Sequence, residues 1–535
     1  MMRTRRIVSG ALAWGLVLLP AAVQGMVIDL GQLAGQHGNA IHQWRFEGAT
    51  PAEQRQDSAG TSNLSRVPAS GGTEPTFAAG FDASTQAVQF YGNVAFKSSS
   101  FTHPETGTVE YLYRPSTAAT GHFVSAMGAS GNRLYYGVRN DGTDGAGFGN
   151  ASWPAPYQAF LSGSTTPDLE AGHWYYVAVT QKRSGTQIIV NAYVADLTEG
   201  QTQLTHAIQN VVKAAANANY GSAPLGLGLQ GNTDSNFYTG RLDEATYYNA
   251  RLAQPLLQHH LDVLYGTAAK TYATAVLSDG PTGHWRFEDA SSSSGATAAN
   301  SATLMDGTYG VGQSHAAGAA LIGGQSVGFS GTGGIGLPSA DLRAALAGAP
   351  AISVEAWILT DALPTEGVEF IFATRINAGT AAAELLLDTT GVRMAGRSST
   401  ADGYQQKTAP FTPDGQWHHI VGILDYRDKE IRIYIDGVAA LVESATFAAS
   451  AYTPGTSFTQ TDSIGASPGG GSFWDGLLDE VAIYAYALSA EQVWEHYQTA
   501  TVPEPATVVL LGAGLLAIAR RRSRRRGERV PHSRA

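Results

Sequence analysis

An all-β fold of two tandem antiparallel β-sandwiches, each closed by a short helix, is what this sequence predicts, and three features carry that expectation. Three sequence blocks recur in one order at nearly one spacing. Apolar residues alternate with a period of two through many short segments. Charged residues make up only 14%, glycines number 63, and the 535 residues contain no cysteine. Low charge with abundant glycine suits an all-β chain with many turns. Without cysteines, each domain must rest on a hydrophobic core of its own.

The repeat fixes the domain organisation. HQWRFEGA (His42 to Ala49) returns as GHWRFEDA (Gly283 to Ala290), and AGHWYYVAVT (Ala171 to Thr180) returns as DGQWHHIVGI (Asp414 to Ile423). GRLDEATYYNARLAQPLLQHHLD (Gly240 to Asp262) returns as GLLDEVAIYAYALSAEQVWEHYQ (Gly476 to Gln498). Trp44 to Trp285, Trp174 to Trp417 and Asp243 to Asp479 are separated by 241, 243 and 236 positions. A solenoid repeats every 20–50 residues or so, and a period this long means two domains instead. The expected units are 26–266 and 267–501, preceded by a leader (1–25) and followed by a tail (502–535).

Within each unit the pattern is mostly strand. In EIRIYIDGVAAL, Ile431, Ile433 and Ile435 share one face, and Asp436-Gly437 is a hairpin turn signal. In AISVEAWIL, Ile352, Val354, Ala356 and Ile358 share a side. Trp44, Trp174, Trp285 and Trp417 recur within strand patterns and are expected in the packing. LSAEQVWEHYQTA, from Leu488 to Ala500, predicts the closing helix of the second unit, with Ser489 as N-cap and Gln492 three positions on.

The two ends give the address. Arg3, Arg5 and Arg6 precede an apolar run from Ile7 to Leu19, and AAVQG supplies small residues before a cut after Gly25, the pattern of a secretory signal peptide. Near the other end, the apolar stretch 506–519 would span about 21 Å as a helix, short of the roughly 30 Å hydrocarbon core. Six arginines follow between Arg520 and Arg526. Pro503, Glu504 and Pro505, the apolar run and the arginines together resemble the PEP-CTERM sorting signal of Gram-negative bacteria. That resemblance implies transient insertion in the membrane, recognition by an exosortase, and delivery to the cell surface or an extracellular matrix.

Charge narrows the partners. Removing three arginines with the leader, and eight arginines and two glutamates from Val502 onward, takes the formal charge from −11 to −20. No basic patch remains in the pattern to neutralise phosphates, so nucleic acid is not the expected partner. Calcium or a neutral glycan is more compatible with so acidic a chain.

YATAVLSDGPTGHWRFE (Tyr272 to Glu288), Trp417-His418-His419, IRIYIDGV and LLDEVAIYAYALSAEQV resemble the laminin-G-like, concanavalin A-like jelly roll of secreted and surface proteins. The first unit is looser, with Leu112 where the second has Trp357 and an added stretch from Asn140 to Phe160. The resemblance implies two antiparallel sheets, carbohydrate or protein binding and often a structural calcium ion. It does not imply catalysis.

Glycan cleavage needs paired carboxylates acting on one bond, such as Glu-x-Asp-x-x-Glu along a strand, and that pattern is absent from the sequence. Asp243-Glu244 and Asp479-Glu480 are adjacent, and adjacent strand residues face opposite sides. The same parity separates His259 from His260 and His418 from His419. A non-enzyme is therefore expected. Asp479 shares parity with Val481 and Ile483, which turns it inward, whereas Glu480 is expected outward with Ala482 and Tyr484. A buried carboxylate needs compensation. Loop amides would supply it, or a calcium ion held by Asp243 with Glu47 in one unit and by Asp479 with Glu288 and Asp289 in the other. Trp153, Tyr157 and Phe160, stiffened by Pro154 and Pro156, are candidates for a sugar-stacking platform or for folding back on the sandwich. The expected function is an exported, matrix-delivered protein that binds an extracellular polysaccharide or a surface protein. A passive structural component is the alternative, with a glycan-active enzyme third.

Overall fold

Residues 38–501 of the computed structural model are described, apart from 69–71, 82–84, 117–123, 128–131, 136–137, 140–144, 147–148, 151–169, 185–186, 215–221, 230–236, 268–270, 320–321, 378–379 and 456–459. The leader, the tail with its 506–519 stretch, and Trp153, Tyr157, Phe160, Pro503, Glu504 and Pro505 lie outside the described residues.

The fold is built from alternation. Along Ala351–Leu359 the side chains of Ile352, Val354, Ala356 and Ile358 enter a core between two sheets, and Trp357 turns to the opposite side. Glu430–Ile435 turns into Val438–Ser444 through Asp436 and Gly437, whose φ values of 51° and 76° give the primed turn that matches strand twist. Repeated across the chain, such hairpins make antiparallel sheets throughout the described residues.

In the second body one sheet runs Gln313–Ala317, Gln325–Ser330, Asp475–Tyr484, Ala351–Leu359, Trp417–Asp425, Glu430–Ile435 and Val438–Ser444. The facing sheet ends in four long neighbours: Val368–Asn377, Thr380–Asp388, Gly391–Gly396 and Gln405–Pro410. The first body repeats the plan, with Thr106–Pro115 between Tyr175–Ser184 and Thr239–Tyr248. In both, the opening strand pairs with the closing one: Ala40–Trp44 with Thr239–Tyr248, and Gly283–Trp285 with Asp475–Tyr484. Trp44 and Trp285 are fully buried in the respective cores. This is a pair of sandwich-like bodies of the jelly-roll type.

Each closing helix covers the outer face of one sheet. Gln254–Leu264 packs Leu256, Leu257 and Leu261 on Tyr176, Ala178, Tyr193 and Tyr248. Ala490–Thr501 packs Val493 on Trp357, Val421 and Tyr484, together with Val276 of a further helix, Tyr272–Ser278. Burying each such leucine or valine contributes about 1.5–3 kcal/mol. The second closing helix starts with the expected reciprocal cap: Gln492 N donates to Ser489 Oγ (3.2 Å) and Ser489 N to Gln492 Oε1 (2.9 Å).

The two bodies also meet. Ala253 N donates to Ala302 O (2.9 Å) and Leu304 N to Arg251 O (2.7 Å), a short antiparallel ladder across the boundary. Leu277 and Ala302 belong to the same apolar cluster as Leu252 and Leu256.

Candidate functional site

The repeated Leu-Asp-Glu block lies at the seam between opening and closing strands, and an extra residue there decides where each carboxylate goes. Trp357 pairs with Asp479, but Glu355 pairs with Ala482, so the closing strand carries one residue too many. The first body has the same bulge, with Leu112 opposite Asp243 and Glu110 opposite Thr246. The residue after each aspartate is left-handed: Glu244 and Glu480 both have φ of 49°. A β-bulge re-aims side chains and breaks the alternation on which parity depends.

The expected outward position of Glu480 is therefore wrong. It is fully buried, receives His284 Nε2 at 2.6 Å, and accepts from Arg286 Nε at 3.0 Å. Glu244 is buried as well, with Arg45 Nε 3.4 Å away. Asp479 does turn inward. Its Oδ2 accepts from Ala319 N (3.0 Å), while its buried Oδ1 makes no hydrogen bond. Burial, then the charges of Glu480 and Glu288, push the Asp479 carboxyl up to about 9. Burial, Glu244 and Glu47 likewise raise Asp243 well above the usual range, and its Oδ2 also makes no hydrogen bond.

Glycine loops close over these carboxylates. A Cβ on Gly318 would lie 2.9 Å from Asp479 Oδ2, and one on Gly324 would overlap Glu288 Oε1 at 1.8 Å. A Cβ on Gly80 would lie 2.4 Å from Asp243 Oδ2. Glu288 Oε1 accepts from Gln325 N (3.1 Å) and Glu47 Oε1 from Gln86 N (2.8 Å), so each opening strand does bring a carboxylate to its seam. Asp289 does not join: it accepts from Ala299 N (3.1 Å) and from Tyr309 OH (2.9 Å). Among the described residues no three or more His, Cys, Asp or Glu side chains gather to hold a metal. What each seam offers is two carboxylates, one with an unsatisfied buried oxygen. Any cation there would need backbone carbonyls and water to complete its oxygen shell.

A second acidic centre in each body escaped the sequence argument. Glu355 is fully buried beneath the closing helix and is bonded by His496 Nδ1 (3.0 Å), Tyr272 OH (3.1 Å) and Tyr484 OH (3.0 Å). Asp279 lies 3.0 Å from the other His496 nitrogen. Burial opposes ionisation of Glu355, but His496 and His419 outweigh it and hold the carboxyl well below its ordinary value. Burial likewise opposes charge on His496, yet Glu355 and Asp279 raise it to about 10. In the first body Glu110 meets His260 Nδ1 (2.9 Å), Tyr176 OH (2.7 Å) and Tyr248 OH. The missed signal was the recurrence of Thr-Val-Glu at Glu110 as Ser-Val-Glu at Glu355, each followed far downstream by a helix histidine.

The His418–His419 pair divides as strand parity requires, whereas the strand assumed for His259–His260 is wrong. His418 faces Asp436 (2.8 Å) while His419 lies beside Glu355 (3.7 Å). His259 and His260 sit on a helix, not a strand, and reach Ser278 and Glu110.

Residues 329–494 match the family described as the Concanavalin A-like lectin/glucanases superfamily, and residues 501–525 match the PEP-CTERM protein-sorting motif. The chain carries a concanavalin A-like domain and a PEP-CTERM signal. The concanavalin A-like match covers most of the second body, and the signal implies export and processing by an exosortase-type sorting system in a Gram-negative bacterium. No curated protein sequence matches. Structural neighbours include domain 4 of an extracellular arabinanase from Geobacillus stearothermophilus in complex with arabinotriose (20% identity, 41% of this chain and 98% of that chain, TM-score 0.29). Another is the Ruminococcus gnavus IT-sialidase CBM40 bound to alpha2,3 sialyllactose (13%, 32% and 94%, TM-score 0.27). A Trypanosoma rangeli sialidase with 2,3-difluorosialic acid gives 12%, 78% and 62%, with a TM-score of 0.36.

Proposed function

We propose that the mature protein is a non-catalytic, carbohydrate-binding component of the cell surface or extracellular matrix. One observation carries the non-catalytic half. The acid pair common to both bodies is split by a bulge, one carboxylate going to a basic clamp and the other under a glycine loop. Neither is free to act on a bond with its neighbour, as paired acid chemistry requires. The match of 329–494 to a superfamily of lectins and glucanases, on a chain with a surface-sorting motif, supports the binding half. A glycan array probed with residues 26–501 tests it. Saturable binding without product release supports the reading, a cleaved glycan overturns the non-catalytic half, and no binding leaves a passive structural component.

Calcium belongs to this proposal as a structural ion. Asp479 with Glu288, and Asp243 with Glu47, would hold it, and it would supply the positive charge that the unsatisfied Asp479 Oδ1 and Asp243 Oδ2 lack. Its role would be to tie the first and last strands together.

A further inference from the structure

The helices that close the second body cover the outer face of one sheet, and chemistry has gathered on the outer face of the other. On Thr380–Asp388 the residues Ala383, Leu385 and Leu387 enter the core, as do Val392 and Met394 on Gly391–Gly396 and Ala409 on Gln405–Pro410. Alternation therefore sends Glu384, Asp388, Arg393, Gln406 and Thr408 outward. Register sets Glu384 beside Ala395 and Ala395 beside Gln406, and sets Arg393 beside Thr408.

Three guanidiniums surround the centre of this face. Arg375 Nη1 is 3.3 Å from Glu384 Oε1, and Arg393 Nη2 is 2.5 Å from Asp388 Oδ2. Arg397 lies 4.9 Å over the ring of Tyr404, whose hydroxyl donates to Glu384 Oε2 at 2.7 Å. Tyr404 is 38% exposed, one of the few large apolar side chains that reach solvent among the described residues. Arg375 Nε is buried and makes no hydrogen bond. Three cations face two carboxylates, so the patch keeps a positive surplus on a chain whose mature charge is strongly negative. The field of the distant acids fades within about 8 Å at physiological salt, which leaves the local surplus in command.

We propose that this face binds an acidic saccharide, its carboxylate taken by the forked donors of Arg397 beside the Arg393 guanidinium, whose Nε and Nη2 already hold Thr408 and Asp388, and its ring laid on Tyr404. The inference rests on the glycan-binding reading above and names its ligand class and site. Guanidinium pairs a carboxylate through two parallel hydrogen bonds, and an exposed aromatic ring offers a sugar ring a flat apolar surface. Gln406 supplies an amide on the same face, while the Thr408 hydroxyl holds the patch together, donating to Asp388 Oδ2 (2.9 Å) and accepting from Arg393 Nε (3.3 Å). The neutral glycan expected from overall charge gives way here to the local arrangement.

Calorimetric titration of residues 26–501 with a galacturonic acid tetrasaccharide, the matching neutral galactose tetrasaccharide and an oligoglutamate peptide tests it. The uronate should bind saturably and more weakly as salt rises. Arg393→Gln with Arg397→Gln, and separately Tyr404→Ala, should each weaken it by about tenfold or more. Arg427→Gln, which removes one exposed charge from the turn between Trp417–Asp425 and Glu430–Ile435, should leave it unchanged. Arg397→Lys keeps the charge and disturbs the fold least; it should still weaken binding several-fold, because an ammonium cannot form the fork. Neutral binding without uronate binding, or uronate binding that all these variants leave intact, overturns this inference and spares the wider reading. Oligoglutamate binding as tight as the uronate would assign the face to a protein partner and overturn it too. Absence of binding to any sugar overturns both.

Discussion

Asp479→Asn is the substitution that asks most of the seam. The amide keeps the shape of the carboxyl and can still accept from Ala319 N, but it cannot ionise. In the folded chain the Asp479 carboxyl is pushed up to about 9 by burial and by Glu480 and Glu288. A free aspartate titrates near 3.9, so at pH 7 the unfolded chain has lost a proton that the folded chain retains across about three pH units. At about 1.4 kcal/mol per unit, that penalty approaches 4 kcal/mol, and local relaxation would bring the expected gain for the variant to about 2–4 kcal/mol.

The sign follows from proton counting. A carboxyl raised in the folded state makes stability fall as pH rises from about 4 to about 9, because folding then requires taking up a proton. In chelator, wild type should therefore melt higher at pH 5 than at pH 7.5, and Asp479→Asn should flatten much of that difference while raising the pH 7.5 melting temperature by several degrees. Calcium should reverse the order at pH 7.5 by favouring the ionised wild type and leaving the variant unmoved. Scanning calorimetry of residues 26–501 under the four conditions decides it. A variant that melts lower than wild type in chelator at pH 7.5 would show an ionised, partnered Asp479 and refute the reasoning.

Three further outcomes can be checked. Glu480→Ala should cost about 3–5 kcal/mol in urea unfolding, because it strands His284 and Arg286 beside a buried gap; a loss under 1 kcal/mol would contradict the clamp. The His496 imidazole, raised to about 10 from an ordinary 6.5, contributes stability that is full below about pH 6.5 and gone above about 10, so melting temperature should fall across that window and His496→Phe should lack that component of the slope. Mass spectrometry of surface material should find the 502–535 tail removed or exchanged, and intact peptides spanning Arg520 to Arg526 would contradict its processing.

The large features were legible because they rest on regular geometry. Ile352, Val354, Ala356 and Ile358 enter the core as alternation requires, Asp436-Gly437 makes its turn, and Ser489 with Gln492 caps its helix. Each depends on a few adjacent residues and little tertiary context. The buried pairs Glu355–His496 and Glu110–His260 were not legible by the same means, since each joins residues some 140–150 positions apart. Their trace was the recurring Val-Glu at Glu110 and Glu355, a glutamate in a strand otherwise buried on both sides, a place that an unpaired charge cannot occupy.

The misplacement of Glu480 shows why alternation fails at this seam in particular. Parity assumes one residue per pleat, and a glutamate at φ of 49° carries no local mark in the sequence, since glycine or asparagine would be the residues expected there. Without the bulge, consecutive carboxyls would point to opposite faces and one would meet the apolar core. With it, Glu480 reaches His284 on the opening strand and Arg286 just after it, and Asp479 is directed to the glycine loop at Gly318. The strained glutamate costs about 1–3 kcal/mol on its own, so the clamp it completes must return more than that. Both bodies hold the same conformation at Glu244 and Glu480, with the arginine just after the opening strand against each. The bulge is thus the device that joins the first strand to the last, and it leaves a second carboxylate under the loop with one oxygen still to satisfy.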